Sequence, residues 1–72
     1  MHDYNTIVGV IDLRSRKVSH NIIRQRYGIG NSGIALIMNR YIESGLTLEE
    51  LLRMEPSQVE ELIYPPKEHQ EG

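Results

Sequence analysis

Apolar residues recur at helical spacing in five short stretches, each separated from the next by turn residues. In the first, Ile7, Val10 and Ile11 share one face, with Val8 or Leu13 at its edges. This spacing predicts a helix from about Asn5 to Arg16, capped by Asp3 or Asn5, whose short side-chain oxygens suit first-turn N–H groups. Ser19 is the next N-cap, and His20 to Tyr27 reads as a helix of about two turns with Ile22, Ile23 and Tyr27 apolar. Gly28 ends it, as glycine does where the chain needs positive φ past a helix. Ile29 and Gly30 form a turn, and Asn31 or Ser32 caps a third helix running to about Ser44. Ile34, Ile37, Met38 and Tyr41 form its inner face, Ile42 adjoins them, and Gly45 stops it. Thr47 and Glu50 have capping-box spacing, predicting a fourth helix from about Leu48 to Met54 with Leu48, Leu51 and Leu52 buried. Pro56 suits the start of a fifth helix, where Ser57 and Glu60 repeat that spacing and Val59, Leu62 and Ile63 are apolar. Pro65-Pro66 ends it.

The pattern predicts an all-α fold. A small helix-turn-helix, homeodomain-like three-helix core occupies residues 1–46. Two short C-terminal helices over 47–64 pack on it, and 65–72 is a flexible tail or truncated linker. With 72 residues and no cysteine, neither a disulfide nor a cysteine-based zinc site is available, so a hydrophobic core must hold the fold. No apolar run approaches the roughly 18 residues of a membrane span, and no signal-peptide pattern opens the chain. A cytoplasmic, bacterial nucleoid-associated location is the expectation.

The formal net charge of -2 argues against a nucleic-acid partner until its distribution is considered. Arg14, Arg16, Lys17, Arg24, Arg26 and Arg40 stand in a stretch, Arg14 to Tyr41, that contains no Asp or Glu. From Ile42 onward, Glu43, Glu49, Glu50, Glu55, Glu60, Glu61, Glu68 and Glu71 outnumber Arg53 and Lys67. Two uses of this split are open: a basic face for an anionic partner, or mutual attraction between basic and acidic helices.

The stretch from Ser19 to Arg40 is the most informative part of the chain. A helix-turn-helix needs apolar anchors on both helices and a glycine at the corner. With Gly28 as the corner, Ile23, Tyr27, Ile29, Ile34 and Ile37 fill the anchor positions. The position four before the corner usually carries a small residue where the helices approach; here it is Arg24. The expected outward face of the third helix is Asn31, Ser32, Gly33, Ala35, Leu36, Asn39 and Arg40, and in this motif that face meets base edges in the major groove. Amides such as Asn31 and Asn39 match adenine, the fork of Arg40 matches guanine, and Ala35 suits a thymine methyl. Asn31 and Ser32 have a second use as caps. Arg14, Arg16, Lys17, Ser19, His20, Asn21, Arg24 and Arg26 are the expected phosphate contacts.

Other chemistry has little support. His2, His20 and His69 lack metal-ligand spacing, and Gly28-Ile29-Gly30 has no strand before it. No nucleophile, base and orienter set is visible, so neither a catalytic residue nor a metal or cofactor is expected.

Arg26-Tyr27-Gly28-Ile29-Gly30, Ile34, Leu36-Ile37-Met38-Asn39-Arg40-Tyr41, Ser44-Gly45-Leu46-Thr47-Leu48 and Tyr64-Pro65-Pro66 together resemble the N-terminal region of IstA-like insertion-sequence transposases. The resemblance covers about Tyr4 to Lys67, and its Ser-Gly-Leu-Thr-Leu and Tyr-Pro-Pro elements are its most specific parts. Gly33 departs from it, since relatives often carry Thr or another helix-favouring residue near there. The resemblance implies a domain that recognises the terminal inverted repeats of a mobile element as duplex DNA. It also implies a downstream integrase-like catalytic core in longer relatives, which this sequence does not contain, so no strand transfer is expected of this chain. A homodimer on DNA is a further expectation. The alternatives are a protein–protein interaction module and a transcriptional regulator built on the same fold.

Overall fold

A computed structural model describes residues 2–65. Among them five helices follow in order: α1 (Tyr4–Ser15), α2 (His20–Tyr27), α3 (Asn31–Ser44), α4 (Leu48–Arg53) and α5 (Pro56–Ile63). The fold is all-α, and no described helix is long and apolar enough to cross a membrane. The expected tail beyond Pro65 lies outside the described residues.

The central helix is α1, which touches each of the other four, while α3 also packs on α2 and α5. One buried cluster serves the whole domain. It joins Ile7, Val10 and Ile11 of α1 to Ile23, Ile29, Ile34, Ile37, Leu51, Val59 and Ile63. Four of the five anchors expected of the α2–α3 pair, Ile23, Ile29, Ile34 and Ile37, lie in this cluster, with Ile29 of the turn acting as a plug; Tyr27 packs against it partly buried. Gly28 has φ 66° and ψ 30°, and its N–H donates to the Arg24 carbonyl at 2.8 Å. Arg24 points to solvent, so it does not obstruct the helix crossing. The close approach is instead at Gly9, where a Cβ would overlap the Tyr27 hydroxyl. A glycine in the middle of α1 is thus explained by the aromatic ring that covers it.

Local rules account for most helix ends. Asp3 caps α1, accepting from the Thr6 N–H at 3.0 Å, and Asn5 lies inside the helix. Thr47 and Glu50 form a reciprocal capping box, with bonds of 3.2 and 2.8 Å. Three expectations are corrected. Gly30, not Asn31 or Ser32, is the N-cap of α3, and no side chain caps that end. The α5 start uses Glu55, whose N–H donates to Gln58 Oε1 at 3.1 Å, rather than Ser57 with Glu60. The reason is that Pro56 already occupies the first helical position, which puts Glu55 before it. Finally, Ile22 and Leu52 are 55% and 53% exposed although both were expected on apolar faces. Each sits next to a fully buried neighbour, Ile23 or Leu51, and one residue along a helix turns the side chain by about 100°.

Long-range bonds tie α5 to the core at both ends. The carboxylate of Glu60 accepts the Tyr4 N–H at 3.0 Å, supplying an acceptor to a first-turn donor of α1. The guanidinium of Arg40 donates to the Ile63 carbonyl at 2.9 Å, satisfying an acceptor at the end of α5.

The α1–α2 corner is a Schellman motif. The Val18 N–H reaches the Leu13 carbonyl at 3.0 Å and the Lys17 N–H reaches Arg14 at 2.9 Å. Lys17 therefore occupies the left-handed position usually given to glycine, at φ 65°. An L-residue there costs about 1 kcal/mol or more. Lys17→Gly is expected to raise the melting temperature by roughly 4–8 °C for each kcal/mol of strain relieved, read by circular dichroism; a lowered melting temperature would show that no strain is stored there.

The cap of α1 carries a pH dependence. Hydrogen bonds from Thr6, its backbone N–H foremost, hold the exposed Asp3 carboxyl below its ordinary pKa of 3.8. A depressed folded-state value means that the stabilisation is complete above the unfolded pKa and is lost as pH falls through the folded one. The stability gap between the wild type and Asp3→Ala should accordingly be widest near neutrality and close below about pH 4. Urea midpoints measured across that range test it, and a constant gap would contradict it.

Candidate functional site

The second and third helices are joined by three residues, Gly28 to Gly30. Burying Ile34, Ile37 and, in part, Met38 and Tyr41 fixes the rotation of α3. The opposite face then carries Asn31, Ser32, Ala35 and Asn39, all exposed, with half-buried Leu36 at its edge. No hydrogen bond engages the side chain of Asn31, Ser32 or Asn39 among the described residues. Because Gly30 contributes no side-chain cap, the first-turn amides of α3 are open at the same end. Such amides, with the positive end of the helix dipole, suit an anionic oxygen.

Two residues expected on this face do not belong to it. At Gly33 a Cβ would lie 2.8 Å from Cγ1 and 3.1 Å from Cδ1 of Ile29, so the glycine exists for internal packing. Arg40 is half-buried and turned toward α5 by its bond to Ile63. The guanidinium expected to read guanine is committed to the scaffold.

The cations divide in a similar way. Arg14 is half-buried and donates to the Val18 carbonyl at 2.8 Å, bracing the α1–α2 corner instead of facing a ligand. Arg16 pairs with Asp12 at 3.2 Å on the surface. That i,i+4 pair is worth a few tenths of a kcal/mol and can exchange for another anion. Lys17, Arg24 and Arg26 are exposed, with no salt-bridge partner among the described residues. Arg16–Asp12 is the one ion pair within 4 Å among the described residues, so no salt bridge joins the basic helices to the acidic α4 and α5. Mutual attraction of oppositely charged helices has no direct contact behind it.

Ser19 accepts from the Ile22 N–H at 3.4 Å as the α2 cap, and His20 is half-buried beside it. Asn21 and Arg24 line a shallow concavity at the turn with Gly28, Ile29 and Gly30. Gln25 lines it too, although the sequence pattern does not single it out; its spacing of four from Asn21 was the available signal. A polar and cationic rim therefore borders the start of α3. Among the described residues no cluster of three or more His, Asp or Glu could hold a metal ion.

A second, apolar groove lies away from this face. It is lined by Val8, Gly9, Tyr27, Leu48 and Leu52, together with Asn5 and Asp12.

In comparison with known proteins, no family model matches the chain, and neither a curated protein nor a solved structure matches it.

Proposed function

We propose that this chain binds duplex DNA in a sequence-specific manner, with the outer face of α3 in the major groove. The α2 surface and the α1–α2 corner lie on the phosphate backbone. One observation carries the reading. An exposed row of small amide, hydroxyl and methyl side chains on α3 follows a glycine-hinged turn that Arg24 borders, and the preceding helix carries both Arg24 and Arg26 exposed. Small side chains let a helix approach base edges, and cations beside it neutralise phosphates. No catalytic step is proposed. The resemblance to IstA-like transposases makes the terminal inverted repeats of a mobile element the proposed target.

The charge count sets the scale of the interaction. Lys17, Arg24 and Arg26, with Arg16 if it leaves Asp12, allow three or four phosphate contacts per copy. The logarithm of the affinity should then fall with the logarithm of salt with a slope of about -3. Between 50 and 200 mM salt that is a loss of roughly 60-fold. Two copies on one duplex would double the slope. The longest dimension of the fold is 36 Å, about one turn of B-DNA, so one copy suits one half-site. Selection from random duplexes, followed by fluorescence anisotropy at several salt concentrations, tests the proposal. Salt-independent binding, or none at low salt, would refute it.

A second reading rests on the apolar groove beside Leu52, which is 53% exposed. A protein-interaction module would use that surface and leave α3 unoccupied. Self-association in sedimentation that Leu52→Glu abolishes, with no DNA affinity in either protein, would favour it.

A further inference from the structure

We infer that the duplex read by α3 is rich in A·T pairs over a core of three to four base pairs, and that guanine recognition plays no part in it. The inference rests on the DNA-binding reading above and goes further, to the chemical class of the bases.

The side chains left on the reading face decide it. Guanine is read best by a bidentate cation on its O6 and N7, and cytosine by a carboxylate that accepts from its amino group. The first three turns of the outer face carry neither. Arg40, the one cation of α3, points to the opposite side and donates to the Ile63 carbonyl at 2.9 Å. Glu43, the one carboxylate of α3, lies in its last turn and lines a concavity with Arg40, Leu62 and Pro65. Base edges are met by the N-terminal part of a recognition helix, so that carboxylate is at the wrong end. It would also repel phosphates if the last turn were pressed into the groove.

What remains is matched to A·T. Asn31 and Asn39 are exposed amides with both donor and acceptor to spend, the pair that adenine N6 and N7 require. Asn31 is spared from capping because Gly30 holds that position. Ala35 lies between them on the same face and presents a methyl group of the size that meets a thymine methyl, with Leu36 beside it. Ser32 bonds to either kind of pair and adds no preference. Eight residues separate the two asparagines, which is about 12 Å along the helix. At about 3.4 Å per base pair this spans three to four pairs. The expected core is an adenine near each end with thymine methyls between.

The test uses the full chain and fluorescein-labelled 20-base-pair duplexes that differ only in a central block, A·T or G·C, measured by anisotropy at 50 and 150 mM salt. The A·T duplex should bind between fivefold and a hundredfold more tightly, the range expected when one good base contact is gained. Replacing adenine by 7-deazaadenine, which removes N7 from the major groove, should abolish most of that preference. Replacing thymine by deoxyuridine should remove a smaller part. Asn39→Ala should lower A·T affinity toward the G·C value while leaving the circular dichroism spectrum unchanged. A preference for A·T that survives 7-deazaadenine and Asn39→Ala would place the selectivity in DNA shape and overturn the inference. Equal salt-dependent binding to both blocks, or tighter binding to G·C, would overturn it while leaving DNA binding intact. No binding to either duplex would remove the reading beneath it.

Discussion

Ile37→Ala is expected to unfold most of the protein at 37 °C. Ile37 is fully buried on α3, where it joins residues of α1, α2, α4 and α5 in the single core. Truncating a buried isoleucine to alanine costs about 2–5 kcal/mol, because the transfer energy of the lost carbons is joined by the energy of the cavity. A domain of this size has roughly 4–11 kcal/mol in total, and the lower end is the better guide when no disulfide or metal assists. The melting temperature should fall by roughly 10–40 °C. The informative comparison is on the same helix. Ile42, five residues on, is 67% exposed and outside the core cluster. Ile42→Ala should shift stability by no more than about 0.5 kcal/mol. Thermal melts of the two variants test the rotation of α3, on which the position of the reading face depends. Equal losses would mean that the helix is turned differently and that Asn31, Ala35 and Asn39 do not share an outer surface.

What the sequence reveals here follows the distance over which each rule acts. The bounds of α2, the Ser19 cap, the left-handed Gly28 and the Thr47–Glu50 box all depend on neighbours within about four residues, and all are legible. So is the burial of Ile23, Ile34 and Ile37, because helical periodicity is itself local. Two of the errors lie where the partner is remote in the chain. Arg40 looks like a base reader until Ile63, 23 residues later, claims its guanidinium. Glu60 looks like half of a local box until it reaches Tyr4, 56 residues away. Gly33 looks like part of the reading face until Ile29 packs against it; that partner is only four residues away, and the path of the turn, not distance along the chain, hides the contact. Ile22 and Leu52 show another limit. On a helix of two turns, paired aliphatics leave the centre of the apolar face undefined by about one position, and tertiary packing selects which of the two is buried. The same effect trims the reading face to Asn31, Ser32, Ala35 and Asn39 with Leu36 at its edge, while leaving its location on α3 unchanged.

Reversing the charge of two exposed arginines should have the largest effect on binding. Arg24 and Arg26 are exposed in the last turn of α2, and neither has a salt-bridge partner among the described residues, so Arg24→Glu/Arg26→Glu should keep the fold at a cost of about 1–2 kcal/mol for carboxylates at the negative end of the helix dipole. If both meet phosphates, their loss reduces the salt slope by about 1.8, since each neutralised phosphate contributes about 0.9. The new carboxylates add repulsion at the same positions, so affinity at 50 mM salt should drop by well over 100-fold. Arg40→Ala supplies the contrast. It leaves the Ile63 carbonyl without its donor and removes a cation that complements the end of α5. Its cost should be about 1–3 kcal/mol of stability, with the salt slope unchanged. Anisotropy titrations from 50 to 200 mM salt and thermal melts therefore separate a cation that serves DNA from one that serves the fold. If Arg40→Ala flattened the slope and the double reversal did not, the basic surface would lie on the α5 side of α3, and α2 would have to be removed from the interface.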